Sequence, residues 1–430
     1  MKTKWQVRGS RFSMQIARLA IMTLSAGAAL SLHAADWPQW LGPAHDAHAG
    51  ADEKLLDKLP ADLTPVFRLP IGAGFSSPVV ADNRLVYLDG VGEEEIAHCV
   101  DLKTVKEIWK QPFAKKYSDE WGSGTRATPI IDGNRVYAQS CNGEFRCFDL
   151  ANGKTIWGTS FEKDFGVKFL GSKANEGTAA RRGNNGSPVI DRDLVFVPVG
   201  QTNGASVVAF NKENGKVVWK SGTDEAAYSS LVVADIAGVR QVIHFNADGL
   251  AGYNRDHGKL LWRVPIVTNA KRHAMTPVII GDNIVVNSHT FGMISYLISK
   301  DGDKMSAKES WRNKDVKINL CTPVLVGGFL YCHGPSKNYV CVDAASGKVK
   351  WTQGGFGQEV STTLAVGDKL VVVSDSGEMF ILKANPDHYE ELARAQVCGK
   401  TWNFPAFANG KLYVRDQREI ACYAIGESTR

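Results

Sequence analysis

From about residue 63 to residue 425 the chain alternates apolar and polar positions in short runs, such as RVYA, LVFV and KLYV, separated by turn residues. Alternation with a period of two predicts half-buried strands. The separators, DGNR, GDN and NGK, are Asp-Gly, Gly-Asp and Asn-Gly pairs, which accept positive φ and predict hairpins. Eight of the runs open on a related phrase: SSPVV at Ser76, ATPII at Ala127, GSPVI at Gly186, SSLVV at Ser229, MTPVI at Met275, CTPVL at Cys321, STTLA at Ser361 and NFPAF at Asn403. Helical periodicity is not evident beyond the first 35 residues.

A second phrase keeps step with the first. DLKTVKEIW ends at Trp109, DLANGKTIW at Trp157, NKENGKVVW at Trp219, NRDHGKLLW at Trp262 and DAASGKVKW at Trp351, each with an Asp or Asn eight residues before the Trp. With Trp311 included, the tryptophans are spaced by 48, 62, 43, 49 and 40 residues. A four-stranded propeller blade takes roughly 40–50 residues. The pattern therefore predicts an all-β, eight-bladed propeller of four-stranded antiparallel blades over residues 63–425. In each unit an inner strand and hairpin lead to a third strand ending at the Asp or Asn, then to a Gly-Lys turn and the Trp strand. Trp109, Trp157, Trp219, Trp262, Trp311 and Trp351 are expected to fill the spaces where blades meet. The eighth unit lacks a Trp strand, and LTPVFRLPI at residues 63–71 is expected to supply it, with Phe67 near the Trp position. Residues 36–62 are then an N-terminal extension and 426–430 a tail.

The leader changes the charge picture. Lys2, Lys4, Arg8, Arg11 and Arg18 precede an apolar run of 14 residues, Leu19 to Leu32, followed by HAAD. Such an arrangement predicts a cleavable signal over residues 1–35; the run is short for a membrane span, which needs about 20 residues. Without a twin-Arg pair or a nearby Cys, the prediction is export of an unfolded chain with no lipid anchor and no transmembrane segment in the mature protein. Removing those five basic residues from the chain's 50 leaves 45, equal to its 45 acidic residues. A balanced charge gives no electrostatic footprint for nucleic acid. The expected location is the periplasm or the cell envelope.

The chain resembles the pyrroloquinoline-quinone-repeat (PQQ-like) β-propellers over residues 63–425. The resemblance rests on the G-K-x-x-W phrases at 151–157 and 346–351, and DWPQWLGP (Asp36 to Pro43) is similar to the mature start of secreted proteins of this kind. It implies either of two uses. The β-barrel assembly lipoproteins of outer membranes use eight blades as a non-catalytic binding scaffold. Quinoprotein dehydrogenases hold the quinone and a calcium ion above the ring centre. The adjacent cysteine pair typical of the alcohol dehydrogenases is missing here, and no compact acidic cluster offers calcium its oxygens. The expectation is an exported binding scaffold with a protein or envelope-component partner, no cofactor and no metal site. The alternatives are a PQQ- and calcium-dependent dehydrogenase with an atypical site, and a polysaccharide-binding module.

Candidate binding residues follow from propeller geometry, in which the residues just before each inner strand face the funnel mouth. Three residues before the Pro position stand Phe75, Arg126, Asn185, Tyr228, Ala274, Leu320, Val360 and Trp402, with His273, Asn319 and Glu359 nearby. Two long links, residues 114–126 and 162–185, offer Trp121, Phe165, Phe169, Arg181 and Arg182 as partner-binding residues. The histidines show no metal-ligand spacing, and neither a G-x-S-x-G elbow nor a phosphate loop is present. Of the eight cysteines, Cys99, Cys147, Cys341 and Cys422 share a small-residue packing position. If the blade 6 hairpin follows that of blade 2, Cys332 falls opposite Cys341, which makes them the candidate disulfide.

Overall fold

A computed structural model describes Met1 and residues 36–167, 183–318 and 320–427. Among these residues eight four-stranded antiparallel sheets form the blades, and a two-stranded ribbon joins Ser118–Asp119 to Gly122–Ser123. The inner strands are Val79–Ala81, Ile130–Asp132, Val189–Asp191, Val232–Ile236, Val278–Ile280, Val324–Val326, Ser361–Val366 and Ala406–Ala408, for blades 1 to 8. A one-turn helix, Phe161–Phe165, follows the outer strand of blade 2. No helix among the described residues is long and apolar enough to cross a membrane.

The repeated phrase has a mechanical explanation. Asp149 Oδ1 accepts the N–H groups of Ala151 and Asn152 at 2.9 and 3.2 Å, and Asn211 and Asn254 do the same in their blades. This pins the turn and places the following glycine over the tryptophan of the preceding blade. Gly153, Gly215, Gly258 and Gly347 lie on Trp109, Trp157, Trp219 and Trp311, all with φ between 71° and 72°. The indole N–H then donates across the gap: Trp109 to Leu150 O at 2.8 Å, Trp157 to Lys212 O at 2.9 Å, Trp219 to Arg255 O at 2.9 Å and Trp311 to Ala344 O at 3.1 Å. Trp262 departs from this rule. Blade 5 has no Gly-Lys turn but a long hairpin, Gly292–Asp301 with Lys304–Asn313, so Trp262 donates to Gln241 within its own sheet.

A girdle of hydroxyls surrounds the axis. The residue before each Pro position is Ser or Thr in blades 1 to 7, and in blades 1, 2, 3, 4 and 6 it accepts a backbone N–H from the neighbouring blade. Ser77 N–H donates to Thr128 Oγ1, Thr128 N–H to Ser187 Oγ, Ser187 N–H to Ser230 Oγ and Thr276 N–H to Thr322 Oγ1. Phe404 N–H closes the ring onto Ser77 Oγ at 3.1 Å.

Blade 8 takes its outer strand from the N-terminal side: Phe67–Pro70 pairs with Glu419–Ala424 in the register Phe67 to Cys422 and Pro70 to Glu419. Arg415 ties the same seam from within. Its Nη1 donates to Ser76 O, Ser76 Oγ and Leu88 O at 2.9, 3.0 and 2.6 Å, joining blade 8 to blade 1. Burial pushes its guanidinium down to about 10, so it remains a cation at neutral pH.

Residues 37–56 run across the inner strands. Trp37 pairs with Val80 of blade 1, and Ile131 N–H of blade 2 donates to Pro38 O. The Trp40 indole donates to Thr276 Oγ1 of blade 5 at 3.0 Å. Ala47 and Ala49 bond Ala365 of blade 7, and Glu53 accepts the N–H groups of Asn409 and Gly410 of blade 8. Trp37, Leu41, Ala47 and Leu55 join the core that spans blades 6, 7, 8 and 1.

The cysteine expectation is corrected. Tyr331, not Cys332, stands opposite Cys341, and Cys332 faces Val340. A one-residue shift of register exchanges faces, so the two thiols belong to different cores, and all eight cysteines are free and buried.

Candidate functional site

At one end of the axis the segments leading into the inner strands enclose a cavity of about 200 Å³. Phe75, Arg126, Asn185, Tyr228, Ala274, Leu320 and Trp402 line it, each three residues before the Pro position of its blade. In blade 7 the lining residue is Glu359, because Val360 is turned inward and buried. Trp40 completes the floor beside Ser187 and Ser230.

One wall is aromatic. Trp402 lies 5.8 Å from Phe75 and 6.0 Å from Trp121, centroid to centroid, while Trp40 meets Phe404 edge-on at 5.4 Å. Trp121 sits at the tip of the small ribbon and is 45% exposed. Its N–H donates to Asp119 Oδ1 at 2.9 Å, and the next residue, Gly122, has φ +142° with a Cβ position only 2.9 Å from the Phe75 ring. Only glycine lets the ribbon lie so close. Arg126 is fixed beneath it by an ion pair with the buried Asp119 at 2.6 Å, and its guanidinium lies over Phe75 and Tyr117 at 5.5 and 5.1 Å.

The link that carries this ribbon is anchored by Glu95, a fully buried carboxyl on blade 1 whose Oε1 accepts Tyr117 N–H at 3.2 Å. Burial pushes Glu95 up to about 7. Between about pH 4.5 and 7 the folded state therefore holds a proton that the unfolded chain releases, and this group's contribution to stability falls as pH rises through that window. Glu95→Gln should flatten that part of the stability profile and leave the variant relatively more stable above pH 7. Urea midpoints at pH 5 and 8 check this; an unchanged difference between the two would refute it.

Other sequence candidates lie elsewhere. His273 is buried, stacked on Phe245 at 4.2 Å with Nδ1 2.7 Å from Asn246 O, and burial lowers its imidazole to about 4. It supports the wall and does not line the cavity. Phe165 packs edge-on against Phe210 in the core between blades 2 and 3. Asn319, Phe169, Arg181 and Arg182 lie outside the described residues. Four lining residues escape the sequence rule; Ser187 and Ser230 stand one residue before the Pro position rather than three. Arg272 is displaced by two positions from the rule's Ala274, and Trp40 comes from the extension, where the only signal is the second Trp of WPQW.

The mouth does not fit a quinone with calcium. Its lining offers one carboxylate, Glu359, where calcium takes six to eight oxygen ligands, and among the described residues no group of three His, Cys, Asp or Glu side chains could hold a metal. Trp40 also lines the cavity, held by its indole N–H on Thr276 Oγ1 and by Phe404.

The family described as outer membrane protein assembly factor BamB matches residues 68–170, 92–353 and 301–427. The outer membrane protein assembly factor BamB of Shewanella oneidensis is 23% identical over 305 residues, 68% of this chain and 72% of that protein. BamB from Moraxella catarrhalis superposes with a TM-score of 0.59 at 12% identity, over 84% of this chain and 100% of that one. The computationally designed Ika8 protein gives 0.56 at 8% identity, over 83% and 98%. At these identities the two structures speak for the fold alone.

Proposed function

This chain belongs to the family described as outer membrane protein assembly factor BamB, and on that premise we propose that it is an exported, non-catalytic scaffold serving outer membrane protein assembly at the cell envelope. It recognises a protein partner through the funnel mouth and the ribbon that carries Trp121, with the blades as rigid support. The observation that carries this reading is the mouth itself: an aromatic wall and a few fixed polar groups around a shallow cavity, without a paired nucleophile and base or a metal-ligand set among the described residues. Buried aromatic anchors of this kind dominate protein interfaces.

Capture tests it. The full chain, produced with its own leader and immobilised, is exposed to detergent-solubilised envelope of its own cell, and the bound proteins are identified by mass spectrometry. A component of the outer membrane assembly machinery should be retained, and replacing Trp121 and Trp402 together by Ala should reduce retention about tenfold or more. Retention of no such component, together with dye reduction on adding quinone and calcium, would replace the scaffold with the dehydrogenase. Retention on immobilised glycans alone would replace it with a polysaccharide-binding module.

A further inference from the structure

The mouth is amphipathic in a way that narrows the chemistry of what it holds; the inference rests on the scaffold reading above. Its charged groups are not equivalent. Arg126 has its charge met inside the protein by Asp119 at 2.6 Å and by two aromatic faces, although its Nε lacks an acceptor among the described residues. Arg272 has no hydrogen-bond or ion-pair partner among the described residues, and its Nε is buried without an acceptor. Trp402 likewise keeps its Nε1–H buried without an acceptor, while its ring forms the centre of the aromatic wall. A buried donor without a partner is costly and calls for an explanation. Here three such donors line one cavity from the links into blades 2, 5 and 8, but only Arg126 has its charge met by a carboxylate; Trp402 adds apolar surface beside its own donor.

Size limits the occupant. About 200 Å³ lies below the roughly 300–1,000 Å³ of sites that enclose whole small molecules, and it suits one large side chain with its adjoining backbone. Charge limits it further. Arg272 can pair with a carboxylate through its planar fork, while Glu359, on blade 7, disfavours a second negative group nearer that side.

We propose that the mouth binds a partner peptide in which an aromatic side chain lies on the wall made by Trp402, Phe75 and Trp121 and a neighbouring Asp or Glu carboxylate meets Arg272. A backbone carbonyl of the same segment accepts the Trp402 indole N–H.

The test uses the full chain and dye-labelled Gly-Ser peptides containing Phe-Asp, Phe-Asn or Ala-Asp, followed by fluorescence anisotropy. Phe-Asp should bind tightest, with Phe-Asn and Ala-Asp each about tenfold weaker. Arg272→Gln should erase the preference for Asp over Asn and keep that for Phe over Ala. Trp402→Ala should do the reverse, and Trp402→Phe, which keeps a ring but loses the N–H, should restore most of the aromatic preference. Circular dichroism verifies that each variant is folded. Equal binding of Phe-Asp and Phe-Asn by the parent chain overturns the proposal, as does an Arg272→Gln variant that still discriminates. If no peptide binds while the assembly component is still captured by both variants, the peptide chemistry fails and the scaffold stands. If neither binds, both fail.

Discussion

A chain that lacks residues 36–70 is expected to lose its cooperative unfolding transition at room temperature. The deletion removes the outer strand of blade 8, leaving Glu419–Ala424 as an open edge, and empties the slot filled by Phe67. That slot is equivalent to the tryptophan position: Phe67 stands opposite Cys422 as Trp109 stands opposite Cys99 and Trp157 opposite Cys147. It also removes Trp37, Leu41, Ala47 and Leu55 from the core shared by the first and last blades. At about 1.5–3 kcal/mol for each large apolar side chain returned to water, the loss reaches the same order as the total stability of a typical domain, about 5–15 kcal/mol. Arg415 and the Phe404–Ser77 bond still join blade 8 to blade 1, so collapsed β structure should persist without a sharp melt. Far-UV circular dichroism with urea titration of the truncated and parent chains distinguishes the outcomes. A truncated chain with the parent's midpoint and slope would show that the Arg415 seam alone closes the ring.

How far the sequence led depends on what kind of signal each feature left. Blades repeat, so eight inner-strand openings and the Gly-Lys-Trp turns record them many times over, and counting from the Pro position reached seven of the cavity's lining residues. The rule works because a propeller points the start of every inner strand toward the same end of the axis. It fails by one residue where neighbours alternate in direction: His273 is next to Ala274 yet points into the blade, and Glu359 takes the place of Val360. The cysteine pairing failed for the same reason. It assumed a register across a hairpin whose turn length the sequence does not state, and one step moved Cys332 to the opposite face. Residues 37–56 left almost no trace, since their contacts pass from blade to blade and no period links them. Trp40, at the floor of the mouth, and Arg272, without a partner among the described residues, therefore emerge only in three dimensions.

Replacing Trp219 by Ala and Gly258 by Ala should show strong, non-additive losses of stability. Trp219 is 8% exposed, packs on Phe196 at 5.6 Å and donates to Arg255 O across the junction of blades 3 and 4. Its truncation should cost about 3–5 kcal/mol. Gly258 has φ +71°, and a Cβ there would lie 2.5 Å from Trp219 Cε3 and 2.6 Å from Cδ2. Alanine would meet two separate penalties, left-handed backbone strain of about 1–2 kcal/mol and overpacking of about 1–3 kcal/mol. The second requires the indole. In the Trp219→Ala background there is no ring to strike, so Gly258→Ala should cost only the backbone strain, and the double variant should be more stable than the sum of the singles predicts by about 1–3 kcal/mol. Urea unfolding of the four chains measures that coupling directly. A sum that is additive within about 0.5 kcal/mol would mean that the glycine serves only its own turn, and that the spacing between Gly and the preceding blade's Trp is not what fixes the distance between blades.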